Sequence, residues 1–225
     1  MRTIAVIPAY NEERRIDAVV RALLLRVERV IVVDDRSDDA TAIVAATAGA
    51  HVIRHALNRG QGAALKTGTV AALEDGAEIV AHFDADGQHD PDALTAMVAP
   101  IERGDADIVY GSRFLGVEAE GMPTSRRALL WGARQFGTVI GAPRHFTDPQ
   151  SGLRVMRADV ARDLDFVQDR MAHCSEILRL VARSRWRAVE VPVRIIYTKE
   201  TLAKGQKTAD AFKIVWQLFL GSLQR

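Results

Sequence analysis

The pattern of apolar and polar residues changes partway along the chain. In the first half, short runs of β-branched and aliphatic residues alternate with longer stretches that have helical spacing. The short runs are almost continuously apolar, which is typical of strands covered on both faces of a parallel sheet. The pattern predicts strands at residues 3–7, 29–33, 50–54, 78–83 and 107–110, separated by helices at 12–25, 38–48, 60–74 and 91–102.

Alternating strands and helices favour one architecture, a mostly parallel sheet with helices on both faces. We therefore expect an α/β, Rossmann-like fold with right-handed crossovers between its strands. Ligands bind such sheets at the carboxyl ends of the strands, so functional side chains are expected there.

The alternation stops after residue 110. No internal repeat or low-complexity linker separates the two halves, so we expect a single domain over residues 1–225 in which the second half elaborates the first. The second half predicts a helix at 125–141, a strand in SGLRVMR at 151–157, a helix at 173–183, strand material at 186–197 and a helix from 208.

Composition then narrows the classes of protein. The 225 residues are 48% hydrophobic and 26% charged, with 30 basic and 29 acidic side chains, as in an ordinary globular protein. This balance gives no indication of a nucleic-acid partner. A single cysteine excludes a disulfide framework and favours a reducing, cytoplasmic location. We expect neither a membrane-spanning segment nor a signal peptide, because no apolar run is long enough.

The charges are distributed unevenly along the chain. Residues 74–107 carry ten acidic side chains against one basic, whereas residues 121–157 carry six arginines against one acid. This asymmetry indicates a cation-binding region beside an anion-binding one, although a solvated acidic face fits the charges equally well.

Acidic residues follow the second predicted strand. The first strand ends in PAYNE at 8–12, without the glycine-rich turn by which dinucleotide-binding folds approach a pyrophosphate. The second ends in Asp34 and Asp35, where a βαβ nucleotide site carries its ribose-binding acid. A nucleotide could bind here, but its diphosphate would need another partner.

The fourth predicted strand is followed by a candidate partner for the diphosphate, the sequence DADGQ at 84–88. Asp84, Asp86 and Gln88 place hard oxygen ligands close together, which suits Mg²⁺ or Mn²⁺ holding a diphosphate. Asp and Gly are also ordinary turn residues, so the pattern alone favours a plain turn over a metal site. Its position after a buried strand, with acids at other strand ends, favours the metal site.

The segment RGQGAALKTG at 59–68 departs from a phosphate-binding loop at a decisive position. Leu65 stands where a Walker sequence requires the glycine before its lysine. We therefore reject that site and expect the glycines to permit close helix packing, with Lys66 near the nucleotide.

Five motifs together resemble a known family, the inverting family-2 glycosyltransferases of GT-A fold, over roughly the first 160 residues. Within it the likeness is greatest to polyprenyl-phosphate glycosyltransferases of the dolichol-phosphate mannose synthase type. The resemblance implies a GDP- or UDP-hexose donor, a polyprenyl phosphate acceptor and Mg²⁺ or Mn²⁺. The motifs are IPAYNE at 7–12, VVDDRSDDAT at 32–41, DADGQHDP at 84–91, GSRF at 111–114 and DPQSGLR at 148–154.

The same resemblance implies roles for individual residues. It places Pro8, Tyr10, Glu12 and Asp35 at the nucleoside, next to Asp34, and Asp84, Asp86 and Gln88 at the metal and diphosphate. Arg113 and Ser151 would hold the acceptor phosphate with a second arginine, for which Arg127 competes with Arg126, Arg134 and Arg144. The expected regions are a donor half at 1–110, an acceptor half with a lid at 111–207 and a terminal amphipathic helix at 208–225.

The chemistry of the acceptor decides whether a general base is needed. A phosphate with a second pKa of about 6 is mostly dianionic at neutral pH and can attack without one. A hydroxyl acceptor, as in polysaccharide synthesis, would need a base, and Asp148 and Glu176 are the candidates. Two other classes of protein compete with this interpretation. One is a sugar-1-phosphate nucleotidyltransferase, which would open with a glycine-rich loop that IPAYNE lacks. The other is a non-catalytic nucleotide-sugar scaffold.

The terminal helix leaves three interpretations open. Its wide apolar surface could pack on the domain, bind a partner or lie at a lipid interface. We expect a cytoplasmic protein for which peripheral membrane contact stays open, as does its oligomeric state. The polar, basic segment at 197–207 is expected to form a lid over the diphosphate.

Overall fold

Residues 1–115, 146–148, 151–170 and 172–194 are described by a computed structural model of the chain. The helix expected at 125–141, the lid expected at 197–207 and the helix expected from 208 lie outside these residues. So do Arg127 and its three competitors for the acceptor phosphate.

One mostly parallel sheet organises the described residues. Among the described residues, seven strands lie in the order β3-β2-β1-β4-β6-β5-β7, and only β6 of these runs antiparallel to its neighbours, β4 and β5. The predicted α/β architecture is therefore confirmed. The strands are β1 Thr3–Ala9, β2 Arg29–Asp34, β3 His51–Arg54, β4 Ile79–His82, β5 Ile108–Ser112, β6 Arg154–Arg157 and β7 Ala188–Pro192.

Helices cover both faces of this sheet, because the strands bury apolar side chains on each side. One core contains Ile16, Leu23 and Leu94 against one face, and a second contains Leu65, Val160 and Ile177 against the other. The helices are α1 Ile16–Leu24, α2 Thr41–Thr47, α3 Gln61–Glu74, α4 Ala93–Glu102, α5 Ala158–Asp163 and α6 His173–Arg183.

The helices that follow β1 and β2 begin later than predicted. Asn11 has a positive φ of 56°, and the carbonyl of Glu12 accepts from the amides of Arg15 and Ile16, so a turn precedes α1. Thr41 opens α2 because Asp39 Oδ1 accepts from its backbone amide at 3.0 Å. Because both helices begin late, polar loop backbone lies at the carboxyl edge of the sheet. Helix α5 was not predicted.

Candidate functional site

Asp84 lies just beyond the end of β4 and receives two side-chain donors. Gln61, the first residue of α3, donates to Oδ1 at 2.9 Å, and His89 donates to Oδ2 at 3.1 Å. Burial raises the pKa of Asp84, but the hydrogen bond from His89 and the charges of His89, Arg154 and His173 outweigh it and lower the pKa. Asp84 is therefore held as an oriented carboxylate.

Asp86 experiences the opposite electrostatic environment. Burial, followed by repulsion from Asp84 and Glu12, raises its pKa despite the backbone amide of Gln88, which donates to Oδ1 at 2.9 Å. Asp84, Asp86 and Glu12, here called the acidic cluster, thus interact electrostatically at the ends of β1 and β4. Such a cluster favours a bound cation.

This arrangement fits a divalent ion that also binds a diphosphate. No group of three or more His, Cys, Asp or Glu side chains among the described residues could hold a metal by itself. Mg²⁺ is commonly held by one or two carboxylates together with substrate phosphates and water, and Asp84 and Asp86 match that ligand set. Gln88 lies in the same loop, and its expected role as a metal ligand stays a prediction.

The SGLR turn packs directly on Asp84. A Cβ added to Gly152 would lie 2.7 Å from Asp84 Oδ2, a separation at which the carboxylate would have to move. Ser151, the preceding residue, is buried, and its hydroxyl donates weakly to the Leu153 carbonyl at 3.4 Å. The segment assigned by resemblance to the acceptor therefore touches the segment assigned to the metal.

Arg154 anchors this turn from inside the protein. It is 0% exposed, and its Nε and Nη2 both donate to the Ser151 carbonyl at 3.3 Å. Its Nη2 also lies 3.0 Å from the sulfur of Cys174. Burial raises the pKa of Cys174, but the positive charges of His173 and Arg154 outweigh it and bring the pKa to about 7. No carboxylate among the described residues forms an ion pair with Arg154. The positive charge of Arg154 therefore acts on the buried groups around it, such as Cys174.

Arg113 forms a bidentate ion pair with Asp148. Its Nε and Nη2 donate to the two carboxylate oxygens at 2.6 Å each, and Asp148 is only 1% exposed. Glu176, the other candidate base, accepts from the backbone amides of Val167 and Gln168 at 3.0 and 2.8 Å. Both carboxylates thus bind protein donors.

Asp34, at the end of β2, is surrounded by groups of the protein itself. It is fully buried, pairs with Arg54 Nε at 3.0 Å and accepts from the backbone amide of Ser37 at 3.1 Å. The side chain therefore shapes the loop that follows β2, and its expected role in ligand binding stays a prediction.

Asp35 is enclosed by donors from the loop after β3. Its Oδ1 accepts from the Arg59 amide at 2.9 Å and contacts His55 Nδ1 at 2.8 Å, while Oδ2 accepts from the Gly60 amide at 2.6 Å. These bonds fix the entry to α3, whose first residue is Gln61. Asp35 therefore supports the site through the loop that delivers Gln61 to Asp84.

The residues that follow β1 lie at the same edge. Pro8 is partly exposed in β1, and the side chain of Tyr10 is 46% exposed. Glu12 pairs with Arg15 at 3.0 Å, and its backbone amide donates to Thr41 Oγ1 at 2.8 Å. Pro8 and Tyr10 thus present partly exposed surface near the end of β1, and Glu12 adds negative charge to the surroundings of Asp86.

Lys66 does not join this group. Its ammonium donates to Asp165 Oδ1 at 2.8 Å and to the Phe166 carbonyl at 3.2 Å, so it ties α3 to the loop after α5. The expected packing role of the glycines is confirmed, because a Cβ on Gly62 would lie 2.2 Å from the Gln168 carbonyl oxygen.

Four contributors to the site were missed from the sequence: Gln61, His89, Gly152 and Arg154. His89 lies inside the motif DADGQHDP, so its proximity to Asp84 offered a local signal. The contacts of Gln61 and Gly152 with Asp84 join distant parts of the chain and have no such signal.

No helix among the described residues is long and apolar enough to span a bilayer.

Comparison with known proteins gives consistent results. The family model "Glycosyl transferase family 2" matches residues 4–164. The UDP-N-acetylglucosamine–dolichyl-phosphate N-acetylglucosaminyltransferase of Methanococcus voltae is 33% identical over 236 residues, covering 96% of this chain and 94% of that protein. The undecaprenyl-phosphate mannosyltransferase of Micrococcus luteus is 32% identical over 207 residues, covering 87% and 84% respectively.

A solved structure shares the fold at lower sequence identity. It is glucosyl-3-phosphoglycerate synthase from Mycobacterium tuberculosis in complex with Mn²⁺, UDP-glucose and phosphoglyceric acid. Its TM-score with this chain is 0.74 at 19% identity, covering 99% of this chain and 78% of that one. The likeness concerns the architecture and agrees with the predicted GT-A fold.

Proposed function

The chain belongs to glycosyl transferase family 2 and is a glycosyltransferase, and we propose that it transfers a hexose from a nucleotide-diphosphate sugar to a polyprenyl phosphate. The proposal includes inversion at the anomeric carbon and dependence on Mg²⁺ or Mn²⁺. The observation that carries it is the contact between Gly152 of the acceptor motif and Asp84 of the acidic cluster.

The acidic cluster supports binding of the donor diphosphate through a divalent ion. Asp84 and Asp86 would hold the ion with Gln88, and when bound the ion would neutralise the departing nucleoside diphosphate. Gln61 and His89 orient Asp84 by hydrogen bonds at 2.9 and 3.1 Å, so this carboxylate needs little rearrangement on binding.

The nucleoside is assigned to the neighbouring strand ends. Pro8 and Tyr10 offer partly exposed surface at the end of β1, and Glu12 lies close enough to influence Asp86. Asp35 fixes the loop that delivers Gln61, so we assign it a supporting role in donor binding.

Arg113 and Ser151 are assigned to the acceptor phosphate. A guanidinium binds phosphate oxygens through paired N–H donors and offsets their repulsion from the donor phosphates. Asp148 orients Arg113 through its bidentate pair, and Ser151 belongs to the turn that touches Asp84. The approach of the Ser151–Gly152 turn to Asp84 supports a direct displacement between neighbouring donor and acceptor groups.

The engagement of Asp148 and Glu176 favours a phosphate acceptor over a hydroxyl. A hydroxyl would need a base, yet Asp148 pairs with Arg113 and Glu176 accepts from two loop amides. A phosphate dianion attacks without a base, so both carboxylates can keep these positions. Because the acceptor is a lipid, we further propose that transfer occurs at a membrane surface.

A transfer assay tests the proposal directly. The chain is incubated with radiolabelled GDP- or UDP-hexoses, Mg²⁺ or Mn²⁺, and a polyprenyl phosphate in detergent. We expect a labelled lipid product, lost on chelation, whose anomeric configuration by NMR is opposite to that of the donor. Pyrophosphate-dependent exchange, donor binding without turnover, or transfer only to sugar hydroxyls would each contradict it.

A further inference from the structure

Glu190 connects the edge of the sheet to the residues around Arg113. It lies in β7, the edge strand, opposite Tyr110 of β5. Its carboxylate accepts three hydrogen bonds from a segment more than forty residues earlier in the chain. Oε2 accepts from Thr147 N at 2.7 Å and Thr147 Oγ1 at 2.9 Å, and Oε1 accepts from Asp148 N at 2.8 Å.

These bonds fix the backbone that carries the partner of Arg113. Consecutive amides of Thr147 and Asp148 point at one carboxylate, so neither of the two peptide planes that carry them can rotate without losing a bond to Glu190. The side chain of Asp148 then receives Arg113 at 2.6 Å on each oxygen. The orientation of the guanidinium therefore depends on Glu190 through a single intervening residue.

A second contact route leads from Glu190 to the other side of Arg113. Thr147 Oγ1 lies 2.5 Å from Ser112 Oγ, which accepts from the Phe114 amide at 3.1 Å. Ser112 and Phe114 flank Arg113 in the chain, so this route holds its backbone through Thr147. The Arg113 amide also donates to Asp148 Oδ2 at 3.2 Å, so Asp148 holds both its backbone and its side chain.

We propose that Glu190 is a positioning residue that sets the geometry of Arg113 for the acceptor phosphate. This inference rests on the proposed function for its acceptor and adds a residue outside the five sequence motifs. Glu190 acts through Thr147 and Asp148, so its effect should appear on the acceptor side of the reaction.

The variant Glu190→Gln tests this role. It keeps the size of the side chain but replaces one accepting oxygen with an NH₂ group that cannot accept from a backbone amide. Glu28→Gln is the matched control, because Glu28 also accepts from a backbone amide, that of Thr3 at 2.7 Å, at the start of β1. Both variants are assayed below their melting temperatures with separate titrations of donor and acceptor.

We expect Glu190→Gln to raise the KM for polyprenyl phosphate by roughly tenfold or more, the effect of weakening hydrogen bonds to a charged group. The KM for the donor should stay within about twofold of wild type, and Glu28→Gln should leave both constants unchanged. Equal changes in the two constants for Glu190→Gln, or no change in either, would overturn the inference.

A crystal structure of Glu190→Gln separates this inference from the proposed function. If wild-type protein transfers nothing to polyprenyl phosphate, the proposed acceptor is wrong, and the position of Arg113 then decides the role of Glu190. A displaced Arg113–Asp148 pair supports the positioning role, whereas the wild-type pairing retained in the variant refutes it.

Discussion

The ends of β2 and β4 both carry two closely spaced aspartates, but the protein treats their charges differently. At the end of β2, Asp34 pairs with Arg54, and Asp35 accepts from two backbone amides and contacts His55. At the end of β4, the neighbours of Asp86 include the acidic Asp84 and Glu12, and its pKa is raised.

We interpret this difference as one between a structural loop at the end of β2 and the proposed metal site at the end of β4. Carboxylates whose charge is balanced by protein donors stabilise loops, whereas carboxylates left close together cost folding free energy unless a cation joins them. We therefore expect substitutions at the end of β2 to affect stability first, and those at the end of β4 to affect activity first.

Replacing Asp86 with Asn should produce the largest effect on activity. Loss of one of two carboxylates that would hold the ion is expected to lower metal-dependent kcat by at least about a thousandfold. The fold should survive, and without metal its melting temperature should rise, because the variant removes a buried charge with a raised pKa. Transfer assays and calorimetric scans without metal measure the two effects. Full turnover by the Asp86→Asn variant in the presence of a chelator would show that Asp86 does not act by holding a metal ion.

Replacing Asp35 with Asn should reverse that profile. The amide retains one accepting oxygen but opposes the Arg59 or Gly60 amide with its own donors, so we expect a loss of about 2 kcal/mol in the free energy of unfolding. Urea titration measures this loss. Metal affinity, followed by Mn²⁺ paramagnetic relaxation, should fall much less than in Asp86→Asn, because Asp35 reaches Asp84 only through the loop and Gln61. If Asp35→Asn instead lowered metal affinity without destabilising the fold, the distinction between the two strand ends would fail.

Replacing Gly152 with Ala should disturb the end of β4 without removing any charge. The new Cβ would lie 2.7 Å from Asp84 Oδ2, so the turn or the carboxylate must shift. We expect Mn²⁺ affinity to fall by roughly tenfold, comparable to the loss of a supporting residue around a metal ligand. Gly76→Ala is the control, since its Cβ meets nothing within 4 Å although its φ of +76° strains the backbone. Equal metal affinity in the two variants would mean that the contact with Asp84 does not matter.

The sequence predicted the parts of this comparison that are local in the chain. Continuous apolar runs located β1 to β5, and the acids at 34–35 and 84–86 were recognised because they follow such runs. The pattern also predicted a strand near 151–157, but an apolar run does not encode its direction or partners. The antiparallel insertion of β6 between β4 and β5, which carries Arg154 into the core, therefore could not be predicted.

The partners of each carboxylate could not be predicted from the sequence either. Asp34 and Asp84 have similar sequence contexts, yet one faces Arg54 and the other faces Gln61 and His89. Lys66 was expected near the nucleotide and instead binds Asp165, 99 residues away in sequence. These outcomes depend on long-range packing, which a single sequence does not specify.

Asp107 provides a smaller test at a distance from both strand ends. It precedes β5, and its pKa falls to about 2, chiefly because Arg187 donates hydrogen bonds to it, with Arg157 adding positive charge. A lowered pKa means that its stabilisation is complete above the ordinary value of 3.8 and disappears as the pH falls towards 2. Asp107→Asn should therefore lose about 1 kcal/mol at pH 7, since exposure of Arg187 screens the pair, and the deficit should shrink as the pH falls through this range. Urea unfolding at pH 7 and pH 3 measures it. A deficit of the same size at both values would show that Asp107, unlike Asp35, contributes through packing and not through its charge.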